Sequence, residues 1–131
     1  MKKVFIIEDD RSLSLLYKHM LVKNGFEVLG RVRDGQHAVS MYKEFTPKPH
    51  VILMDYHLPR KNGIDISKEI FKLDSKVKII FITADETVKK KALDMGIFSF
   101  IEKPFSLKEL LNTIKKAIRD YEKDNLPSIT E

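Results

Sequence analysis

Short apolar runs alternate with segments of helical periodicity from one end of the chain to the other. Runs of strand length cover residues 3–7, 26–32, 50–55, 77–83 and 98–102, and the segments between them repeat apolar residues every three or four positions. Most of these strands show little polar alternation, which is typical of a parallel sheet covered by helices on both faces. The pattern predicts an α/β fold, a doubly wound (βα)5 arrangement around five parallel strands.

Capping signals mark where the predicted helices begin and end. Asp34 stands where it can cap the second helix, and Gly96 closes the fourth. Ser106 and Glu109 have the spacing of a capping box at the start of the fifth helix. We expect Asp10, which follows the first strand, to cap the first helix.

Length and composition place few further limits on the chain. Its 131 residues suffice for one domain, predicted over residues 1–122, followed by a polar tail at 123–131. No apolar run approaches the roughly 18 residues that span a bilayer. The absence of cysteine excludes disulfides and thiolate metal sites, and it fits a cytoplasmic protein.

A net charge of +5 raises the question of a nucleic-acid or acidic partner. The lysine-rich segments at 89–91 and 115–116 fall in predicted helices without interleaved aromatic residues. Solvent-exposed helix faces explain them more simply, so direct nucleic-acid binding is not favoured.

Polar side chains gather where the predicted strands end, and in a doubly wound sheet those ends meet at the functional edge. The residues are Glu8, Asp9 and Asp10 after the first strand, Asp55 after the third, Thr83 in the fourth and Lys103 after the fifth. Clustered carboxylates repel one another, and a hard cation such as Mg²⁺ removes that repulsion. Open coordination positions on the cation, with a lysine and a hydroxyl nearby, suit a phosphoryl group. The sequence predicts a carboxylate that accepts phosphate.

Four segments, at residues 6–10, 51–63, 79–84 and 100–105, resemble the response-regulator receiver domain of two-component signalling. The resemblance covers about residues 2–121, with the segments in the family's order and at its spacing. It implies a flavodoxin-like sheet with strand order 2-1-3-4-5. The expected family type is the single-domain receiver of chemotaxis.

The resemblance also implies roles for individual residues. Asp55 matches the phosphorylated aspartate, and Thr83 and Lys103 match the hydroxyl and ammonium that engage the phosphoryl group. Glu8 and Asp9 match the acidic pair, so that Asp9 and Asp55 would ligate Mg²⁺ directly and Glu8 through water. The main-chain carbonyl of His57 would be a further ligand, and the Lys103–Pro104 bond is expected to be cis.

Some positions depart from the common family pattern. Phe100 occupies the aromatic switch position where tyrosine is frequent, so an output contact there should be apolar. We hypothesise that His57 pairs with Asp85 across the mouth of the site and slows loss of the phosphate. Two exposed side chains without a joint role are the alternative.

The implied function is a phosphorylation switch rather than an enzyme acting on other substrates. A histidine kinase or phosphotransfer protein would phosphorylate Asp55. The face of helix 4, strand 5 and helix 5 would then bind an unidentified output protein. The chain itself would act as a monomer or as a phosphorylation-dependent dimer. That predicted face includes Lys89, Lys90, Phe100, Lys108 and Lys115.

Three other readings compete with this one. An aspartate-nucleophile phosphatase would need a second aspartate where His57 stands. A flavin-binding electron carrier would need a phosphate loop after the first strand, where this chain has the acids at positions 8–10. A receiver cut from a longer DNA-binding regulator is the third, although the short segment after the last helix favours a stand-alone module.

Overall fold

The structure, a computed structural model, describes residues 1–125, and these form alternating strands and helices. The strands are β1 (Lys3–Ile7), β2 (Glu27–Val32), β3 (Val51–Met54), β4 (Lys78–Thr83) and β5 (Ser99–Glu102). The helices are α1 (Arg11–Lys23), α2 (Gly35–Glu44), α3 (Gly63–Leu73), α4 (Lys89–Met95) and α5 (Leu107–Asp124), and a 3₁₀ turn at Glu86–Val88 precedes α4.

All strand pairs are parallel, and the sheet order is β2-β1-β3-β4-β5. The predicted fold class is therefore confirmed. Ile7 of β1 pairs with Met54 of β3, which brings the next residues of both strands to the same height at the sheet edge. The main-chain N–H of Asp55 donates to the carbonyl of Ile7 at 3.0 Å and extends this pairing by one residue.

The hydrophobic core has two layers because successive strand residues point to opposite faces of the sheet. Val4 and Ile6 pack with α1 and α5 on one face, and Phe5 and Ile7 pack with α2, α3 and α4 on the other. All four side chains are fully buried. This burial explains why the strands read as continuous apolar runs in the sequence.

The capping residues behave as predicted. Asp10 accepts from the N–H of Leu13 at 3.1 Å. Asp34 accepts from the N–H of His37 at 3.0 Å, and Ser106 from that of Glu109, also at 3.0 Å.

The structure departs from the predicted elements in a few places. β2 is an edge strand, so most of its side chains are half-buried rather than alternating. The fourth helix begins as a 3₁₀ turn in which the N–H of Thr87 donates to the Asp85 carboxylate. α5 ends at Asp124, and residues 126–131 of the predicted polar tail lie outside the described residues, so the domain boundary at 122 stays a prediction. None of the helices within residues 1–125 has the length and hydropathy needed to cross a bilayer.

Candidate functional site

Three carboxylates meet at the carboxyl edge of the sheet. Glu8 and Asp9 follow β1, and Asp55 follows its neighbour β3. One oxygen of each residue lies within 4.8 Å of the oxygens of the other two. Glu8 is 1% and Asp55 8% exposed, while Asp9 is half-buried. The strand register brings together acids that are 47 residues apart in the chain.

Lys103 enters this acidic cluster from the loop after β5. Its Nζ lies 3.2 Å from Glu8 Oε1 and 3.4 Å from Asp55 Oδ2. Its N–H donates to the carbonyl of Thr83 at 3.0 Å, and the following bond to Pro104 is cis, as predicted. Burial alone would lower the pKa of Lys103, but Glu8 and Asp55 raise it, so the ammonium stays charged.

The pKa of Glu8 shows the effect of burial and of the repulsion between the carboxylates of the cluster. Burial, and next the neighbouring Asp55, raise its pKa from 4.5 to about 7, against the opposing effect of Lys103. Its Oε2 accepts from the N–H of Asp10 at 3.2 Å. A second cation would remove the repulsion that Lys103 only partly offsets.

Thr83, the last residue of β4, is 1% exposed and lies on the neighbouring strand. Its Oγ1 accepts from the N–H of Asp85 at 3.3 Å. Asp85 in turn bonds His57, with 2.8 Å between His57 Nε2 and Asp85 Oδ2, so the predicted pair is present. Hydrogen bonds from Thr87 and then His57 lower the pKa of Asp85. Two loops are thereby joined across the mouth of the site.

Phe100 lies on β5, farther from the carboxylates. It is half-buried, with its ring centroid 6.5 Å from that of Phe81 in the core. The ammonium of Lys89 lies 5.9 Å from the Phe100 centroid, within the range of a cation–π contact. The aromatic ring therefore links the core beneath the site to the exposed α4–α5 face.

A tight turn carries the chain away from Asp55 toward α3. The N–H of Gly63 donates to the carbonyl of Tyr56 at 2.9 Å, and Asn62 caps α3 through the N–H of Asp65. A Cβ on Gly63 would lie 2.6 Å from the carbonyl oxygen of Asp55. Arg60, within the same turn, has a φ of 72°. Only glycine at position 63 lets the backbone pass this close beneath the acceptor.

Two features of the site were not predicted from the sequence. The buried hydroxyl of Tyr17 in α1 has no hydrogen-bond partner among the described residues. The Nε of Arg33 donates to the main-chain carbonyl of Asp9 at 3.2 Å. In the sequence, Tyr17 belongs to the apolar stripe of α1 and is predicted only to face the core. Helix periodicity does not reveal that its hydroxyl lies near Glu8 and Asp55.

The donor set fits a magnesium ion. Carboxylate oxygens are the ligands that Mg²⁺ favours, and the mutual repulsion of Glu8 and Asp55 gives an electrostatic reason for a cation to bind. The described residues that form the cluster offer oxygen only, which disfavours zinc or copper.

Comparison with known proteins gives consistent results. The family model described as response regulator receiver domain matches residues 4–115. The chain is 36% identical to the chemotaxis protein CheY of Thermotoga maritima, over 88% of this chain and 96% of that protein. It is 34% identical to CheY of Bacillus subtilis, over 88% and 97%.

Among solved structures, the CheX-CheY-BeF3-Mg+2 complex from Borrelia burgdorferi contains a chain that matches with a TM-score of 0.82 and 26% identity. That match covers 88% of this chain and 87% of the other. With the family model spanning most of the sequence and CheY relatives matching over nearly their whole length, the chain belongs to the response-regulator receiver domain family.

Proposed function

We propose that this receiver domain is a phosphorylation switch in which Asp55 accepts a phosphoryl group from a phosphohistidine. The observation that carries the proposal is the Asp55 carboxylate, which is almost buried at the end of a central strand and shares the Lys103 ammonium with the Glu8 carboxylate. The proposed donor is a histidine kinase or a histidine phosphotransfer protein, which would place the reaction in the cytoplasm.

In the transfer step, an oxygen of Asp55 bonds to phosphorus as the bond from phosphorus to the histidine nitrogen breaks. The rigid strand β3 fixes the attacking oxygen, which is the positioning that phosphoryl transfer requires. Lys103 stabilises negative charge on the transferred group through its nearby ammonium. The proposed reaction therefore has two reactants, the Asp55 carboxylate and the phosphohistidine donor.

Asp9, Asp55 and the main-chain carbonyl of His57 would hold Mg²⁺, with Glu8 contributing through water. When bound, the ion neutralises charge that develops on the phosphoryl oxygens. This assignment is supported by the oxygen donors of Glu8, Asp9 and Asp55, which face one another.

Phosphorylation would then act on the α4–β5–α5 face. The Thr83 hydroxyl, already at the end of β4, would donate to the phosphoryl group, and the space that it leaves would favour an inward Phe100 ring. This is a population shift between two conformations, driven by contacts that only one of them makes. Lys89, which contacts the Phe100 ring from the solvent side, would move with the ring.

The partner face is basic, which suits an acidic output protein. Lys89, Lys90, Lys108 and Lys115 are all exposed on α4 and α5. Replacing them with glutamine should weaken output binding and flatten its dependence on salt. Unchanged binding and salt dependence would argue against this face.

The direct test is incubation of the wild type and Asp55→Asn with acetyl phosphate and Mg²⁺, followed by intact-protein mass spectrometry. We expect one phosphoryl group on the wild type, none on Asp55→Asn, and none when Mg²⁺ is removed by a chelator. Phosphorylation of Asp55→Asn would refute the assignment of the acceptor. Continuous turnover of small phosphomonoesters would instead favour a phosphatase.

A further inference from the structure

A cleft of about 610 Å³ lies on the opposite side of α1 from α5, where α1 meets the edge strand β2. Its lining consists of Arg11, Ser14, Leu15, Arg31 and Arg33. The three arginines are exposed, whereas Ser14 is 2% exposed and forms part of the wall. Three guanidinium groups therefore share one concave surface.

The three arginines have no salt-bridge partner among the described residues, although Arg33 also lines a second pocket together with Asp9 and Asp34. Within residues 1–125, no carboxylate oxygen lies within 4.0 Å of the side-chain nitrogens of Arg11, Arg31 or Arg33. Their recorded partners are neutral: Arg31 Nη1 donates to Ser14 Oγ at 3.3 Å, and Arg33 Nε to the Asp9 carbonyl at 3.2 Å. Both contacts use one donor of a group that has five, so most of each guanidinium fork remains available.

Two of the three arginines, Arg31 and Arg33, are each oriented by one hydrogen bond. Ser14 projects from a well-formed turn of α1, and its bond fixes the direction of Arg31. The Asp9 carbonyl fixes Arg33 in the same way. Pre-orientation of this kind lowers the entropy that a bound ligand must offset.

Planar guanidinium forks match the oxygens of a phosphate group, to which arginine binds in a bidentate manner. The volume lies within the range of small-molecule sites, and Leu15, 43% exposed, provides an apolar wall. We propose that the α1–β2 cleft binds a small ligand that carries phosphate groups, at a site that adjoins the acidic cluster through Arg33 but does not include Asp55. Its three charges favour a ligand with more than one phosphate.

A compact concave site favours a small molecule over a nucleic-acid strand. A strand would need a basic track that continues past the cleft, whereas the lysine-rich segments at 89–91 and 115–116 lie on α4 and α5. Neither of those helices lines the cleft.

Isothermal titration of the full chain with pyrophosphate, in metal-free buffer containing a chelator, tests the proposal. We expect saturable binding that weakens at least about tenfold in Arg11→Gln/Arg31→Gln, because charge-assisted hydrogen bonds are lost. The matched control Lys89→Gln/Lys90→Gln removes the same charge from α4 and should retain the wild-type affinity. Asp55→Asn should also retain it, which separates the cleft from the phosphorylation site.

Ser14→Ala adds a test that leaves the net charge unchanged. We expect it to weaken pyrophosphate binding about threefold, since Arg31 loses its anchor. Circular dichroism melting of every variant establishes that the fold is intact. Absence of binding, or an equal loss in the lysine control, would overturn the proposal. A single-stranded oligonucleotide that binds more tightly than pyrophosphate, with the same arginine dependence, would overturn the small ligand in favour of nucleic acid.

Discussion

At the scale of single residues, the acidic cluster illustrates a conflict between stability and binding. Glu8 is buried beside Asp55, and among residues 1–125 the one cation paired with it is the Lys103 ammonium, which Asp55 shares. A carboxylate in this position costs free energy when it is charged, and it holds a proton more tightly than it does in the unfolded chain. The same charge would favour a divalent ion.

Removing that charge should stabilise the metal-free protein. The pKa of Glu8 is raised from 4.5 to about 7. Between these two pH values the folded state therefore binds more protons than the unfolded state, and the free energy of unfolding falls as the pH rises. We expect Glu8→Gln to increase the free energy of unfolding by about 2 kcal/mol at about pH 8, and to change it little at about pH 4. Urea unfolding at both pH values measures this, with exposed Glu102→Gln as the control. A gain of equal size at both pH values would contradict the explanation.

The His57–Asp85 pair leads to a prediction about phosphate lifetime. It bridges the mouth of the site at 2.8 Å, and we expect its loss to admit water to the phosphorylated Asp55. His57→Ala should shorten the lifetime of the phosphorylated form about threefold, a size consistent with the loss of one exposed hydrogen-bonded pair. Decay of the phosphorylated protein, followed by mass spectrometry, gives the rate.

His37→Ala is a matched control, since His37 forms a similar exposed pair with Asp34 at 2.9 Å on α2. Asp85→Ala should shorten the lifetime like His57→Ala, and the double variant should decay no faster than either single variant. A lifetime unchanged by His57→Ala would show that the pair does not protect the phosphate.

At the scale of secondary-structure elements, the turn from β3 to α3 decides how the acceptor is presented. Gly63 lets the chain pass under Asp55, and Asn62 caps α3 immediately before it. A second glycine, Gly35, lies against the same loop, where a Cβ would meet the Lys61 carbonyl oxygen. Both glycines serve close approach of backbone to backbone, since neither has a positive φ.

Gly63→Ala should damage the site and the fold together. Its Cβ would lie 2.6 Å from the Asp55 carbonyl oxygen, so the backbone beneath the acceptor must move. We expect a loss of about 2 kcal/mol in the free energy of unfolding and slower phosphorylation by acetyl phosphate. Gly30→Ala is the control, because its Cβ would meet side-chain ends of Met41 and Phe45 at 3.0 Å. Equal rates for Gly63→Ala and the wild type would contradict this role.

At the scale of the whole molecule, the parallel order of the sheet connects the acidic cluster to the α4–β5–α5 face. β4 carries Thr83 at its end and pairs with β5, which carries Phe100. Phe81 and Phe100 lie opposite each other on these strands, with their ring centroids 6.5 Å apart. A displacement of β4 would therefore also change the position of Phe100 on β5. The neighbouring strands β4 and β5 therefore connect the surroundings of Asp55 to the α4–β5–α5 face.

Thr83→Ala should separate phosphorylation from switching. Without the hydroxyl, Asp55 can still be phosphorylated, but the contact proposed to favour an inward Phe100 is missing. We expect nuclear magnetic resonance to show phosphorylation-dependent shifts at Phe100 and Lys89 in the wild type, and about tenfold smaller populations of the shifted state in Thr83→Ala. Thr113→Ala, on α5 away from the site, should behave as the wild type does. Full shifts in Thr83→Ala would exclude Thr83 as the coupling residue.

The sequence by itself determined the (βα)5 order, the caps at Asp10, Asp34 and Ser106, and the residues at the strand ends. These follow from local periodicity and from backbone groups that need partners close in sequence. The resemblance to the receiver family gave Asp55 and Lys103 their individual roles, and the cis bond before Pro104 followed from that resemblance alone. The sequence did not reveal the cis Thr46–Pro47 bond or the Tyr17 hydroxyl beneath the cluster.

The sequence predicted that the strand-end groups share one edge of the sheet, and only the tertiary structure decided at what distances they lie and which other groups join them. The register of β1 on β3 brings Glu8 beside Asp55, and the edge position of β2 opens the cleft where Arg31 and Arg33 stand near Arg11. Periodicity along one segment carries no information on which residue of another segment lies opposite it. That pairing is set by packing of the whole core, and the raised pKa of Glu8 and the gathering of three arginines in one cleft are its consequences.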